Sequence, residues 1–413
     1  MPLSLDLAYH NGTIRWDFKQ TPVILNRPDP EPVIDVPLFQ QRLVERLRSE
    51  PLDLRKPAVV VADKTRLCEY QHYLPVLLDH LVASGASPEH ITLFIAYGTH
   101  PSQSMEACRR IYGPVFNAYR WVHHRCDDAG AFVELGRTRR GTPVRMRKDI
   151  MAATCLITIG AISHHYFAGF GGGRKLIFPG LGEQRAIYHN HGLFLDRIGR
   201  QLATACQPGV LTGNPLAEDL AEVETFRPAD IAIHGILDSH GRVCDLLVGQ
   251  GGEHFPAACE QHQRNAAIEG DPYDLVLASC GGFPKDINLI QSHKAIHHAA
   301  AFVRDGGRLI LLAGCSDGVG SETFLPWFDM GGWHAAFDRL ADRYAGNGGT
   351  ALAMMEKVRR IDISLVSGLA PEVAAKIGIT LICVDAAKKI VSDHQGSLAV
   401  VPNASVLVRK SDI

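Results

Sequence analysis

The chain has 413 residues, of which 42 are Lys or Arg and 44 are Asp or Glu, so its formal net charge is −2. This balance argues against a nucleic-acid partner, because nucleic-acid surfaces need a concentrated excess of positive charge. At roughly 100–200 residues per domain, the length predicts two or three domains. The 20 histidines hint at acid–base or metal chemistry, since imidazole titrates near neutral pH and binds borderline metals.

The N-terminal segment contains Asp6 and no apolar run long enough for a signal peptide. No other stretch approaches the ~18–20 consecutive apolar residues of a membrane span. Ten cysteines are scattered along the chain without a C-x-x-C pair, which favours neither a zinc knuckle nor a disulfide scaffold. We therefore expect a cytoplasmic protein with no membrane partner.

Short aliphatic runs recur along the chain and predict strands that are buried on both faces of a parallel sheet. These runs are Ala58–Ala62, Ile91–Ile95, Cys155–Ile159, Leu275–Leu277 and Leu309–Leu312. Segments with helical spacing lie between them, for example Tyr73–Val82 and Ala295–Val303. Strands that alternate with helices predict an α/β fold class with mainly parallel sheets.

The segment Glu269–Pro272 is the best candidate for a domain boundary. It follows a polar helical stretch and precedes a new strand–turn–helix unit. We therefore predict two α/β domains, one over residues 1–268 and the other over residues 269–413.

Polar side chains follow four of the predicted strands. In open parallel sheets, ligands bind beyond the carboxyl ends of the strands, so these positions are candidate site positions. The segments are Asp63–Arg66, Tyr97–His100, Gly160–His165 and Gly281–Asp286, with Gln291–Lys294 soon after the last. Together they bring an acid, an Arg, candidate general bases and a Lys to the strand ends.

A glycine-rich stretch, His164–Gly180, has four glycines in five positions, followed by Arg174 and Lys175. Glycines allow a backbone to approach a ligand closely, and the two cations could bind an anion. A phosphate-binding P-loop needs Ser or Thr after its Lys, but Leu176 follows Lys175. The first strand is also not followed by G-x-G-x-x-G, so a nicotinamide-dinucleotide site is poorly supported.

Further along the chain, His189 and His191 stand at positions i and i+2. On a helix their side chains would diverge, whereas on a strand they would share a face. One of the two acting together with a ligand from elsewhere is therefore a better interpretation than a two-histidine metal site.

In combination, these motifs resemble the nickel-dependent lactate racemase family. The resemblance rests on Asp63–Arg66, Gly98–His100, His165–Gly180, Asn190–His191 and Gly281–Leu289, followed by Gln291 and Lys294. It implies an isomerase that racemises or epimerises a 2-hydroxy acid. The implied mechanism is reversible hydride transfer through a 2-keto acid, with two histidines as acid and base.

Members of this family bind a nickel-pincer nucleotide, which is a pyridinium-3,5-bisthiocarboxylate mononucleotide that holds Ni(II). The resemblance makes His191 the protein ligand of the nickel, and Lys175 matches the residue that is covalently joined to the cofactor in the best-known members. The implied site residues are His100 and His165 for catalysis, Asp63, Lys64, Thr65, Arg66, Lys175 and His191 for cofactor binding, and Gln291 and Lys294 for substrate binding.

The resemblance also implies an active site in the cleft between a cofactor-binding N-terminal domain and a C-terminal domain that contributes the substrate-binding residues. The implied partners are the 2-hydroxy acid and, transiently, the proteins that synthesise the cofactor. Pro101 and Ile290 depart from the family pattern, which commonly has Arg and Tyr there, so the substrate side chain stays open. A nicotinamide-dependent 2-hydroxyacid oxidoreductase and a non-catalytic cofactor-binding protein stay open as alternatives.

Overall fold

The computed structural model describes residues 3–410, and the chain divides into two compact units. Unit I comprises Asp29–Leu193 and Ala205–Asn265. Unit II comprises the chain up to Pro28, the segment Phe194–Thr204 and the chain from Ala266 onward. The predicted boundary after residue 268 lies close to the last crossing between the units, but both units are discontinuous in sequence.

Unit I is built on a six-stranded sheet. In spatial order its strands are Val243–Gly249, Ile231–Leu237, Cys155–Ala161, Pro57–Ala62, Thr92–Ala96 and Arg120–His123. Neighbouring strands run parallel except for the first pair, which is antiparallel. Every residue of the two central strands is buried, which explains their unbroken apolar sequences.

Helices and two short antiparallel pairs complete unit I. The pairs are Phe132–Arg137 with Pro143–Arg147, and Ser163–His165 with Gly169–Gly171. The α-helices are Val36–Ser49, Tyr70–Ala83, Met105–Tyr112, Val115–Ala118, Lys148–Met151, Gln184–His191, Pro215–Glu224 and Gly251–Ala266, the last of which ends where unit II resumes. Short 3-10 turns are Pro88–His90, Ala129–Ala131, Gly173–Leu176 and Gly192–Phe194.

Unit II has a second six-stranded sheet, in which all neighbouring strands are parallel. In spatial order its strands are Thr380–Leu381, Asp362–Val366, Val303–Leu312, Tyr273–Ser279, Leu398–Val401 and Val23–Ile24. Its α-helices are Leu289–Ala300, Trp333–Asp342, Gly348–Arg360, Pro371–Ile377 and Val384–Asp393, and Leu325–Asp329 is a 3-10 turn.

The N-terminal hairpin belongs to the core of unit II. Its strands, Leu3–Tyr9 and Gly12–Phe18, pair in antiparallel register. Leu7, Trp16 and Phe18 from this hairpin pack in one apolar cluster with residues of the Tyr273–Ser279 strand. Two further short pairs are Leu195–Asp196 with Gln201–Leu202, and Ala267–Ile268 with Val408–Arg409.

The predicted α/β fold with mainly parallel sheets is confirmed, and each predicted strand is present. The run Leu309–Leu312 is the end of a longer strand that begins at Val303. The helix predicted over Ala295–Val303 is wrong at its C-terminal end. It ends at Ala300, and Val303 begins a strand because it pairs with Tyr273 in the sheet. Within residues 3–410, none of the helices combines the length and apolar character needed to cross a bilayer.

Candidate active site

The two central strands of unit I, Pro57–Ala62 and Cys155–Ala161, are neighbours in the sheet. The chain continues from the first to one side of the sheet and from the second to the other side. Such a switch in direction leaves a crevice at the carboxyl ends of the strands, where doubly wound sheets bind ligands. Asp63 follows the first strand directly, and His165 lies shortly after the second.

Asp63 and His100 form a close pair at this edge of the sheet. His100 Nδ1 lies 2.7 Å from Asp63 Oδ2, and the exposed fractions of the two side chains are 49% and 6%. Thr65 donates to Asp63 Oδ1 from its backbone N at 2.9 Å and from its hydroxyl at 2.6 Å. Burial raises the pKa of the Asp63 carboxyl, but the hydrogen bond and charge of His100 and the bonds from Thr65 outweigh it and bring that pKa to about 2.

The rest of the Asp63–Arg66 segment forms a tight turn. The backbone N of Arg66 donates to the carbonyl of Asp63 at 3.1 Å, and that of Lys64 donates to Gln103 Oε1 at 2.9 Å. Lys64 and Thr65 are exposed, whereas Gln103 is buried. Gln103 was not among the predicted site residues, because no motif around it signals that its side chain supports this turn.

The glycines of the Gly169–Gly173 segment have a packing reason. Gly172 has φ +80°, and an added Cβ would lie 2.1 Å from the carbonyl O of Ala161. A Cβ on Gly169 would lie 2.2 Å from the carbonyl O of Val210. These glycines therefore let the loop pack against unit I itself, and the predicted close approach to a ligand stays a prediction.

Lys175 lies in the 3-10 turn that follows these glycines. Burial, and then the positive charges of Arg66 and Arg174, lower the pKa of Lys175 well below its usual value. The shift favours the neutral amine, which is the nucleophilic form. Arg66 lies beside the same loop, since a Cβ added to Gly171 would be 3.7 Å from its Nε.

Arg174 contacts the Phe255 ring and lies near the Glu224 carboxyl, both within unit I. Its guanidinium lies 4.8 Å from the centre of the Phe255 ring. Burial raises the pKa of the nearby Glu224 carboxyl to about 7, although the charge of Arg174 opposes that shift. Glu224 was also missed from the sequence, because it lies at the end of the Pro215–Glu224 helix, far from any motif.

His191 is the last residue of the Gln184–His191 helix. Burial, and then repulsion from Lys175, lower the pKa of His191 to about 3, with a smaller contribution from His100. Its imidazole is therefore neutral and can act as a metal ligand. His189 is exposed on the same helix, and its Nδ1 lies 3.0 Å from Thr142 Oγ1, so the two histidines do not form a pair.

His165 ends the first strand of the Ser163–His165 hairpin. Its Nδ1 accepts hydrogen bonds from the backbone N of Phe167 at 3.2 Å and of Ala168 at 3.0 Å. The ring stacks on Tyr166, with centroids 5.1 Å apart. Its neighbour His164 stacks on Phe170, and burial lowers the pKa of His164 to about 4.

Gln291 and Lys294 belong to unit II, whereas the other predicted site residues belong to unit I. They lie three positions apart on the Leu289–Ala300 helix, and Lys294 Nζ donates to Gln291 Oε1 at 3.2 Å. Asn288 caps this helix by accepting a hydrogen bond from the backbone N of Gln291. The structure thus brings these two side chains together.

Several predicted site residues lie close together near the carboxyl ends of the unit I sheet. Arg66, Lys175, His191 and His100 are close enough for their charges to act on one another, and Asp63 orients His100. No group of three or more His, Cys, Asp or Glu side chains suited to holding a metal is found among residues 3–410. Fold and site together define an α/β protein with a cationic, histidine-containing site at the carboxyl ends of a parallel sheet.

Comparison with known families identifies the family within this class. Residues 29–202 match the lactate racemase N-terminal domain, and residues 268–342 match the lactate racemase C-terminal domain. The chain belongs to the lactate racemase family.

Two curated relatives carry the name lactate racemase. The chain is 29% identical over 273 residues to the one from Thermoanaerobacterium thermosaccharolyticum, a match that covers 65% of this chain and 62% of the relative. It is 27% identical over 296 residues to the one from Lactiplantibacillus plantarum, covering 71% of this chain and 67% of the relative. The match to the first relative thus spans less than two thirds of that protein's length.

Two solved structures share the fold. The lactate racemase apoprotein from T. thermosaccharolyticum superposes with a TM-score of 0.87 at 21% identity, covering 99% of this chain and 100% of that chain. A protein from Thermotoga maritima superposes with a TM-score of 0.70 at 16% identity, covering 93% of this chain and 100% of that chain.

Proposed function

We propose that this chain is a racemase or epimerase of a 2-hydroxy acid, lactate or a close analogue, and that it uses a nickel-pincer nucleotide. The observation that carries the proposal is the grouping of Lys175, His191, Arg66 and the Asp63–His100 pair at the carboxyl ends of the unit I sheet. Membership of the lactate racemase family and the names of the two curated relatives support it.

The residues at this place fit such a cofactor. The pKa of about 3 leaves the His191 imidazole neutral, and a neutral imidazole is a good ligand for Ni(II) beside sulfur donors. The lowered pKa of Lys175 favours the neutral amine that a covalent bond to the cofactor requires. Arg66, beside Lys175, supplies positive charge for the nucleotide phosphate, and Lys64 and Thr65 stand exposed on the same turn.

His191 and Lys175 would hold the nickel-pincer nucleotide, which would supply a reversible hydride acceptor for the α-hydrogen of the substrate. Loss of that hydrogen as hydride avoids a carbanion next to a carboxylate. His100 removes the hydroxyl proton at Nε2, and the ionised Asp63 stabilises the imidazolium that forms. His165 gives or takes the hydroxyl proton of the other enantiomer, because the hydroxyl changes sides as the centre inverts through the 2-keto acid.

The substrate carboxylate is proposed to bind Lys294 and Gln291. Their mutual hydrogen bond places an ammonium and an amide side by side, a suitable donor pair for a carboxylate. Pro101 and Ile290 are the positions that we expect to decide which substrate side chain fits.

We also propose that the protein acts in the cytoplasm, where it receives the cofactor from the synthesis proteins. All ten cysteines are free thiols, nine of them at least partly buried, and such usage suits a reducing compartment.

The test is to co-express the chain with the cofactor-synthesis proteins and to purify it. Nickel content and cofactor mass are then measured, and single enantiomers of lactate, malate, aryl-lactates and sugar acids are screened for loss of optical purity. Retained nickel together with scrambling of at least one hydroxy acid is the expected result. Absence of nickel, or full retention of optical purity by every acid with the cofactor bound, would refute the proposal.

The role of His191 has its own test, for which the same helix provides a control. His191→Ala is expected to lose nickel, because it removes the only protein ligand proposed for the metal. The matched control is His189→Ala, which removes an exposed imidazole two positions earlier and is expected to keep nickel. Equal nickel content in the two variants would contradict the assignment of His191.

A further inference from the structure

We propose that Asp219 is a positioning residue for His191, the residue that the proposed function makes the nickel ligand. The inference rests on that function and extends it to a buried carboxylate in a neighbouring helix of unit I. Asp219 acts through Asn190, the residue directly before His191.

Asp219 is a buried acid with three hydrogen-bond donors. Its exposed fraction is 0%, and it lies in the middle of the Pro215–Glu224 helix. Thr138 Oγ1 donates to its Oδ1 at 2.5 Å, whereas Thr142 Oγ1 and Asn190 Nδ2 donate to its Oδ2 at 2.7 and 2.8 Å. Burial of a carboxyl group is costly unless such donors replace water. These bonds therefore fix the relative positions of the segments that supply them.

One of these segments is the short helix that ends at His191. Asn190 is fully buried, and its bond to Asp219 holds the last turn of this helix. At the other end of the helix, Glu183 accepts a hydrogen bond from the backbone N of Ala186 at 3.0 Å. The helix has only eight residues and is thus fixed at both ends. The position of its last residue is set by the anchor of the residue before it.

A second, indirect tie to the same helix runs through Thr142. The Thr142 hydroxyl gives its only proton to Asp219, so it accepts the hydrogen bond from His189 Nδ1 at 3.0 Å. His189 is exposed whereas Asn190 is buried, so water can replace the bond of His189 but not that of Asn190. The direct bond from Asn190 is therefore the contact on which the position of His191 depends.

The helix that carries Asp219 is itself firmly anchored. Its N-cap residue, Asn214, is fully buried, and Asn214 Nδ2 donates to the carbonyls of Phe167 and Val210 at 2.8 and 3.0 Å. The backbone N of Phe167 in turn donates to His165 Nδ1 at 3.2 Å. One helix thus supports the turn around His165 from its first residue and the proposed nickel ligand from its centre.

Release of nickel from the loaded protein tests the inference. The wild-type protein and its variants are co-expressed with the cofactor-synthesis proteins and mixed with excess EDTA, and bound nickel is followed over time where circular dichroism shows each protein to be folded. We expect Asp219→Ala to release nickel at least about 10-fold faster than the wild type, because loss of a group that orients a metal-binding histidine typically weakens metal binding about 10–100-fold. Asp219→Asn, whose amide oxygen still accepts from Asn190, should stay within about 3-fold of the wild type.

Thr138→Val is the matched control. It removes a donor to the same buried carboxylate but leaves the bond from Asn190, so it should weaken the fold without speeding the release of nickel. Release from Asp219→Ala at the wild-type rate would overturn the inference. Equally fast release from Asp219→Ala and Thr138→Val would also overturn it, because the bonds to the carboxylate would then act on stability alone.

Asn190→Ala keeps the test decisive if Asp219→Ala does not fold. It leaves the carboxylate with both threonine donors and removes only the bond to the helix that ends at His191. We expect the same acceleration of nickel release as in Asp219→Ala, and release at the wild-type rate would overturn the inference. Failure of the proposed function is seen separately, as a wild-type protein that holds no nickel.

Discussion

At the scale of single residues, the contacts of Asp63 support a role beyond its predicted part in nucleotide binding. Its carboxylate is buried, accepts from Thr65 and lies against His100 Nδ1. A carboxylate in this position sets the tautomer of the imidazole and stabilises its protonated form. Asp63 is therefore best described as the positioning residue of the proposed base.

Replacing Asp63 by Asn tests this role. An amide keeps the shape but loses the charge, and it can rotate its NH₂ towards His100, which would favour the wrong tautomer. We expect kcat of the loaded enzyme to fall about 100-fold or more, with a smaller change in KM. Bound cofactor is measured in parallel and kcat is expressed per bound cofactor, because Asp63 is also predicted to contact the nucleotide. An Asp63→Asn variant with wild-type kcat would contradict the assignment.

Glu224 predicts a pH dependence of stability. Its pKa rises from 4.5 to about 7 on folding because of burial, so the folded state holds this proton more tightly than the unfolded state does. The free energy of unfolding should then decrease as pH rises from 4.5 to 7, by up to about 3 kcal/mol. Glu224→Gln, which cannot ionise, should lack this decrease.

The measurement for Glu224 is urea unfolding of the two proteins at pH 5 and pH 8. Each protein is compared with itself at the two pH values, so a general loss of stability in the variant cancels. A wild-type protein and a variant with the same pH dependence would show that Glu224 keeps an ordinary pKa in the folded chain.

At the scale of elements, the sequence predicts the strands and helices whose apolar pattern follows directly from how they are buried. The runs that became Pro57–Ala62 and Cys155–Ala161 are continuous and apolar because both faces of each strand are covered. The proximity of Asp63 and His100 could be predicted, because they follow neighbouring strands. Glu224 and Gln103 could not be found, because only tertiary packing brings them to Arg174 and Lys64.

The glycine-rich loop has a packing role that its sequence motif does not predict. Close approach of its glycines to a ligand stays a prediction, but packing within unit I by itself requires glycine at two of these positions, Gly169 and Gly172. At Gly172, where φ is +80°, the atom nearest to an added Cβ is the carbonyl O of Ala161, at 2.1 Å. The loop is thus part of the packed structure that supports Lys175.

Gly172→Ala tests this packing role. The methyl group would collide with backbone that cannot move aside, so we expect the free energy of unfolding to fall by more than about 3 kcal/mol. Gly241→Ala is a matched control, because Gly241 has φ +84° and no atom within 4 Å of the added Cβ. That variant should lose only the conformational cost, about 1–2 kcal/mol. Equal losses in urea unfolding would show that the loop tolerates a side chain at Gly172.

At the scale of the whole molecule, the path of the chain through the two units is the feature that the sequence does not predict. The chain passes through unit II, unit I, unit II, unit I and again unit II. Boundary signals such as Glu269–Pro272 mark one crossing, but the strand Val23–Ile24 is only two residues long and gives no periodic pattern. Its place beside Leu398–Val401 depends on contacts between the two ends of the chain.

The N-terminal hairpin should therefore depend for its stability on the C-terminal part of the chain. Trp16 is buried in the unit II core, with an exposed fraction of 1%, in one cluster with Leu275, Leu277 and Val400. Trp16→Ala should cost about 3–5 kcal/mol. By hydrogen exchange we expect the largest loss of protection in Tyr273–Ser279 and Leu398–Val401, far along the chain from the substitution.

The matched control for Trp16 is Leu74→Ala, which empties a fully buried site in unit I. Its largest loss of protection should fall in unit I, around Pro57–Ala62 and Thr92–Ala96. The two variants show whether loss of protection spreads through packing contacts or along the chain. They can do so because position 16 is closer in sequence to unit I than to the strands against which Trp16 packs. If Trp16→Ala weakened Pro57–Ala62 more than Tyr273–Ser279, the hairpin would not be part of the unit II core.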